Sequence, residues 1–317
     1  MANHVLSVEE LGAENLMSLV DRALIHAHGN HSHKPTLNGK VVGIYFRCSS
    51  TRTRTAFAVG AMKLGANIIS YGPNDLQLVT GETIEDTARV LANYLDALVM
   101  RTNGGIDEMK AMTIQNDMAI INALSELEHP TQSIADLVTI KEIFGHLNDL
   151  HVLYLGEGNN TAAALALAVA QIKGMRLTVV TPEGYGLPES TMSKATALGA
   201  QTGAFVSAQH DLDELPRDVD VVYTARWQTM GVAKSDPHWQ KKFAPYKVTA
   251  ELMRRVSKSS KTVFLHDLPA VRGGDVDDEV LDGPQSHAFR QAYHKMTSAM
   301  AVLEWSMGVK VSKTSQA

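Results

Sequence analysis

Residues 41–66 read VVGIYFRCSSTRTRTAFAVGAMKLGA. The opening VVGIYF is apolar and β-branched, which predicts a strand over Val41–Phe46. From Thr55 to Leu64, small and apolar residues recur at helical spacing, which predicts a helix. A strand feeding directly into a helix is the first half of a βαβ unit, so a parallel sheet is expected. The join, Phe46–Phe57, holds two serines, three threonines and three arginines. At a helix start the backbone N–H groups are unpaired and the dipole favours an anion. Hydroxyls add donors there, and a guanidinium can clamp two phosphate oxygens at once. Ser50-Thr51-Arg52-Thr53-Arg54 therefore reads as a phosphate cradle. The plain alternative is a capped helix with solvated arginines, but capping needs fewer hydroxyls and no arginine. No G-x-x-x-x-G-K-[ST] loop occurs.

The strand–helix rhythm continues outward. Further strands are expected at Asn67–Ser70, Ala97–Met100, Met118–Asn122, Val152–Leu155, Leu177–Val180, Val219–Tyr223 and Val263–Leu265. Helices are expected at Ile84–Leu95, Thr131–Phe144, Ala162–Lys173, Ser190–Leu198 and Ser286–Met307. The fold class is α/β: two parallel-sheet domains, an active-site cleft between them, and a C-terminal helix packing back on the first domain. The expected division is 1–145 plus 286–317, and 146–285. A chain of 317 residues has room for both.

The bulk composition excludes several classes. A net charge of −5 gives no reason to expect nucleic acid or an anionic membrane. Cys48 is the single cysteine, so no internal disulfide can form. No signal-peptide pattern opens the chain and no apolar run approaches a membrane span, so a cytoplasmic protein is expected. His26, His28, His31 and His33 cluster before Pro35, but their spacing fits no standard zinc pattern.

S-T-R-T-R at Ser50–Arg54 resembles the carbamoyl-phosphate motif of the aspartate/ornithine carbamoyltransferase family. Gly81-Glu-Thr-Ile-Glu-Asp-Thr-Ala-Arg-Val90, His129-Pro-Thr-Gln132, Gly156-Glu-Gly-Asn-Asn160, His266-Asp-Leu-Pro269 and the tail at Val276–Pro284 follow in family order. The resemblance covers nearly the whole chain. It implies transfer of a carbamoyl group from carbamoyl phosphate to an amine, with no cofactor or metal. Ser50, Thr51, Arg52 and Thr53 would hold the phosphate. Arg101 would reach the phosphate and carbonyl oxygen, and His129 and Gln132 would hold the carbamoyl group. Arg52, Thr53, Arg101 and His129 would then be the catalytic set. Gln77 lies where relatives reach into a neighbouring subunit, which implies a homotrimer with shared sites.

The acceptor signals depart from the family's patterns. Asn160 matches a carboxylate-binding position of the ornithine enzymes. Trp227, Thr229, Met230 and Gly231 resemble D-x-W-x-S-M-G, but Ala225 stands where the aspartate belongs. Tyr223, Arg226 and Gln228 instead resemble Y-x-x-R-x-Q of the aspartate enzymes. H-C-L-P becomes His266-Asp267-Leu268-Pro269, and Lys295 replaces an arginine. The expected acceptor is an amino acid with a side-chain amine: ornithine, or a shorter diamino acid such as 2,3-diaminopropionate. Arg226, Gln228 and Asn160 would hold its carboxylate and Asp267 its amine, in a pocket that also includes Thr229, Met230, His266, Leu268 and Lys295.

Two rivals remain at this level. VLYLGEGNNTAAALALA has the strand–glycine–helix form of a nicotinamide site, but Thr161 replaces the third glycine, and the following strand ends in Val180-Thr181 with no acidic residue at its end for a ribose. A non-catalytic paralogue that binds carbamoyl phosphate would keep the donor motif and relax the acceptor positions.

Overall fold

The computed structural model describes residues 2–29, 35–228 and 233–309. Helix α1 (Val8–His28) precedes β1 (Val41–Phe46), α2 (Arg52–Lys63), β2 (Asn67–Tyr71), a 3-10 turn (Gln77–Thr80) and α3 (Ile84–Leu91). Then come β3 (Ala97–Arg101), α4 (Asp107–Met112), β4 (Ala119–Leu124) and α5 (Pro130–Phe144). The second half holds β5 (His151–Leu155), α6 (Asn160–Val169), β6 (Arg176–Val180), α7 (Glu189–Thr202), β7 (Phe205–Gln209) and β8 (Val221–Thr224). It continues with α8 (Trp239–Phe243), α9 (Ala250–Val256), β9 (Val263–His266), α10 (Asp278–Leu281) and α11 (Ala288–Ser306).

There are two sheets, ordered β2-β1-β3-β4 and β7-β6-β5-β8-β9. Every pairing between named strands is parallel. Strand order reverses between β1 and β3 in the first sheet and between β5 and β8 in the second. Ligands of open α/β sheets bind beyond the carboxyl ends of strands at such switch points. Residues that follow the ends of these four strands line one cleft.

The inner strands β3, β5 and β8 are buried throughout, as strands covered on both faces must be, and β4 at the end of its sheet is buried as well. Helix α11 returns from the second sheet and packs on α1, α2 and α5. One apolar core runs through both halves, from Val42 and Val99 through Leu137 and Leu165 to Leu177 and Val179 in β6. No helix among the described residues is long and apolar enough to cross a membrane.

Several elements lay outside the expected set: α1, α4, β7 and the short helices α8, α9 and α10. Helix α1 is broken at Gly12, whose φ of 71° interrupts the helical spacing and separates a first turn from the longer stretch that follows. Helix α4 has too few residues to display a period. Strand β7 is a half-exposed edge, with Phe205 facing out, and lacks a continuous apolar run. The helix expected at Thr55 starts at Arg52, so the hydroxyl- and arginine-rich residues make its first turn. The helix expected to reach Lys173 ends at Val169, and the one expected to reach Leu95 ends at Leu91.

Candidate active site

The cleft is lined from the first half by Ser50, Thr51, Arg52, Thr53, Arg101, Leu124 and His129. From the second half come Asn159, Asn160, Thr161, Arg226, Gln228, Asp267, Leu268 and Pro269, with Lys295 from α11.

At the start of α2 no side chain caps the helix. The hydroxyls of the motif are therefore not spent on capping, and the start of the helix lines the cleft. Arg101, buried at the end of β3, fixes the loop: its Nε donates to Cys48 Sγ at 3.4 Å and its Nη1 lies 3.4 Å from Ser50 Oγ and 3.5 Å from Thr53 Oγ1. Arg54 does not line the cleft; its guanidinium lies 5.3 Å from the Phe46 ring centroid, where it braces the strand.

His129 is the N-cap of α5 and its backbone N–H donates to Asn160 O at 3.2 Å, a bond between the two halves. Burial, then the charges of Lys295 and Arg101, hold the imidazole well below the ordinary histidine pKa. It is a neutral ring at neutral pH, able to donate one hydrogen bond and accept another.

Behind this wall lies a polar hub. Asp136 accepts from Gln132 Nε2 at 2.7 Å, Gln291 Nε2 at 2.6 Å and Tyr223 Oη at 3.1 Å. Gln291 Oε1 accepts from the backbone N–H of His266 at 2.9 Å. Helices α5 and α11 are thereby tied to β8 and β9. Burial pushes the Asp136 carboxyl up to about 7 despite these donors. Lys295 Nζ donates to Gln132 Oε1.

On the acceptor side, Thr161 Oγ1 donates to Asp267 Oδ2 at 2.9 Å. Among the described residues Asp267 Oδ1 has no hydrogen-bond partner. Asn160 Nδ2 donates to Ser125 O at 3.0 Å, which fixes the amide at the cleft wall. Arg226, half-buried, forms no hydrogen bond or ion pair among the described residues. It separates this cleft from a second cavity of about 400 Å³ that Arg226 and Gln228 also line, with Trp227, Trp239 and Asp275.

Most of the expected site residues thus converge. Gln132 and His266 do not line the cleft. The Gln132 amide is engaged by Lys295 and Asp136, and His266 Nδ1 accepts from Leu268 N at 2.8 Å. Gln77 is exposed on the 3-10 turn and lies outside this chain's own cleft. Thr229 and Met230 lie outside the described residues, as do His31 and His33. His26 Nε2 lies 2.8 Å from Glu304 Oε2 and His28 Nε2 lies 2.9 Å from Glu142 Oε1. No group of three or more His, Cys, Asp or Glu among the described residues is placed to hold a metal ion.

Thr161 was legible only as a missing glycine; its contact with Asp267 joins residues far apart in sequence. Asp136 had a signal, the i, i+4 spacing from Gln132 on one helix face. Glycine at 158 serves the chain itself, since a Cβ there would meet the backbone of Gly186 and Leu187 at 2.4 Å. The close approach is to protein rather than to a dinucleotide.

Residues 3–142 match the family model "Aspartate/ornithine carbamoyltransferase, carbamoyl-P binding domain", and residues 148–306 match "Aspartate/ornithine carbamoyltransferase, Asp/Orn binding domain". The chain is 39% identical to an ornithine carbamoyltransferase of Caldicellulosiruptor saccharolyticus over 302 residues, covering 95% of this chain and 97% of that protein. Its structure resembles the ornithine carbamoyltransferase of Pyrococcus furiosus with a TM-score of 0.89 at 33% identity, covering 98% of each chain. The Gloeobacter violaceus ornithine carbamoyltransferase gives a TM-score of 0.84 at 34% identity, over 96% of this chain and 98% of that one.

Proposed function

The chain belongs to the aspartate/ornithine carbamoyltransferase family and is a carbamoyltransferase, and on that premise we propose that its acceptor is the side-chain amine of a diamino acid, ornithine or the shorter 2,3-diaminopropionate. The observation that carries this reading is the pairing of Arg226 with Asp267 on the acceptor side of one cleft. A guanidinium without a partner among the described residues suits a carboxylate, and a carboxylate with one oxygen unpartnered among them suits an ammonium.

The donor half follows from the loop at α2. Ser50, Thr51, Arg52 and Thr53 hold the phosphate, helped by the uncapped helix start. Arg101 and neutral His129 face the carbamoyl oxygen. The amine attacks the carbamoyl carbon, a C–N bond forms, and negative charge gathers on that oxygen. Donors fixed before the reaction stabilise such charge most effectively. The C–O bond to phosphate then breaks, and the amine's surplus proton leaves with the phosphate. The two halves hold donor and acceptor in line and keep water from the labile donor.

Arg226 ends the cleft on the acceptor side, which favours a short diamino acid. The test is phosphate release with carbamoyl phosphate and, separately, ornithine, 2,3-diaminopropionate, lysine, putrescine and aspartate. A diamino acid is expected to give the highest kcat/KM, with putrescine, which lacks the carboxylate, at least ~10-fold poorer. A preference for aspartate or putrescine would overturn the acceptor assignment.

A further inference from the structure

Lys295 stands where the family's ornithine pattern has an arginine. An arginine there keeps its charge at every accessible pH, whereas a lysine can lose it. Lys295 is buried, lines the cleft, and has Gln132 Oε1 as the partner of its Nζ. That partner is a neutral amide. Neither nearby carboxylate hydrogen-bonds to it: Asp267 accepts from Thr161 through Oδ2, and Asp136 accepts from Gln132, Gln291 and Tyr223. Three further cations, Arg52, Arg101 and Arg226, line the same cleft, and neutral His129 sits beside them.

The cleft therefore crowds four cationic side chains, Arg52, Arg101, Arg226 and Lys295, against one cleft-lining carboxylate, Asp267. Burial pulls the Lys295 ammonium down to about 8, against the attraction of Asp267 and Asp136 and with the repulsion of Arg101 and Arg52. A phosphate dianion entering the loop at α2 shifts the local balance, because it brings two negative charges among these cations.

We infer that Lys295 works with the donor half of the cleft and takes up a proton from solvent as carbamoyl phosphate binds, becoming the ammonium that faces the bound donor. The inference rests on the donor reading above. Gln132 is then a positioning residue: its amide, held by Asp136, aims Nζ toward the cleft rather than touching substrate.

The experiment is calorimetric titration of the whole protein with carbamoyl phosphate, at low temperature, in two buffers of different ionisation enthalpy and at several pH values. The wild type is expected to take up almost no proton near neutral pH and approach about one proton a unit above the Lys295 midpoint. Its Kd should weaken by roughly 10-fold in total over that range, with the slope approaching 10-fold per pH unit only above it. Lys295→Arg should bind with no such uptake and with a Kd insensitive to pH there. Lys295→Met should bind more weakly at neutral pH and also show no uptake. Proton uptake of equal size in wild type and Lys295→Arg would overturn the inference and point to another group, such as His129. Absence of uptake in the wild type would overturn it as well. If carbamoyl phosphate binds to none of the three proteins while each melts normally, the donor reading itself fails.

Discussion

Asp267 illustrates how one residue sets the chemistry of a cleft. Thr161 holds one carboxylate oxygen, and Asp267 Oδ1 is left without a hydrogen-bond partner among the described residues. If this group receives the acceptor's ammonium, removing its charge while keeping its shape has a specific signature. Asp267→Asn keeps an oxygen for Thr161 but loses a charged hydrogen bond, worth about 1.5–3 kcal/mol. The acceptor KM is expected to rise by roughly 10- to 100-fold at saturating carbamoyl phosphate, while the anionic donor, measured by calorimetry, binds no more weakly. An unchanged acceptor KM would remove Asp267 from the acceptor site. At this scale the donor half was legible because Ser50–Thr53 are contiguous and sit at a strand–helix junction. The acceptor half was legible only as a set of departures. Its contacts, Thr161 with Asp267 and Gln291 with Asp136, join positions that only the folded chain brings together.

Among elements, α11 carries the most of the architecture. Its start joins the second sheet through Gln291, and its remaining turns pack on α1, α2 and α5. Near its far end Glu304 is enclosed and accepts from Arg22 Nε at 2.6 Å, Arg22 Nη2 at 2.8 Å and Thr36 Oγ1 at 2.6 Å, with His26 beside it. Burial works to raise the carboxyl's pKa, but the bonds from Arg22, then His26 and Thr36, outweigh it and hold it down at about 2. A carboxyl lowered in the folded state adds stability that is fully present above its unfolded value of 4.5 and is lost as pH falls toward 2. Glu304→Gln leaves Arg22 without its anion. At neutral pH the variant should be less stable by about 3 kcal/mol, and its deficit should shrink across that acid window. Urea melts of both proteins at neutral and acid pH measure this; a deficit that does not change with pH would refute it. The same helix shows what sequence can give. Alternating strand and helix patterns revealed both sheets, because buried parallel strands are continuous apolar runs. Helix α1 escaped because its pattern is cut at Gly12, and what binds it to α11 includes Glu304, a polar contact that hydrophobic spacing does not encode.

For the whole molecule, the question is whether one chain completes its own site. Gln77 is exposed on the turn before α3 and does not line the cleft of its own chain, while every other expected donor-side residue is either in that cleft or directly behind it. We propose that Gln77 serves the site of a neighbouring copy in a homotrimer, as the family resemblance implies. A cyclic trimer has one heterologous interface repeated three times, so each site takes its loop at α2 from one chain and Gln77 from the next. Two crippled proteins should then rescue each other. Gln77→Ala lacks only the donated residue, and Arg52→Ala lacks only its own phosphate grip. Each alone is expected to lose ~100-fold or more in turnover. When the two are dissociated, mixed in equal amounts and reassembled, any mixed ring contains one place where an intact Arg52 chain faces an intact Gln77 chain. Random mixing makes about three quarters of the rings mixed, and one site in three of each is whole, so activity should recover to roughly a quarter of wild type. Light scattering on the same sample reports whether rings of three form at all. Trimers whose mixture stays as inactive as its parents would place Gln77 outside the shared site, and a monomer of full activity would remove the shared site altogether.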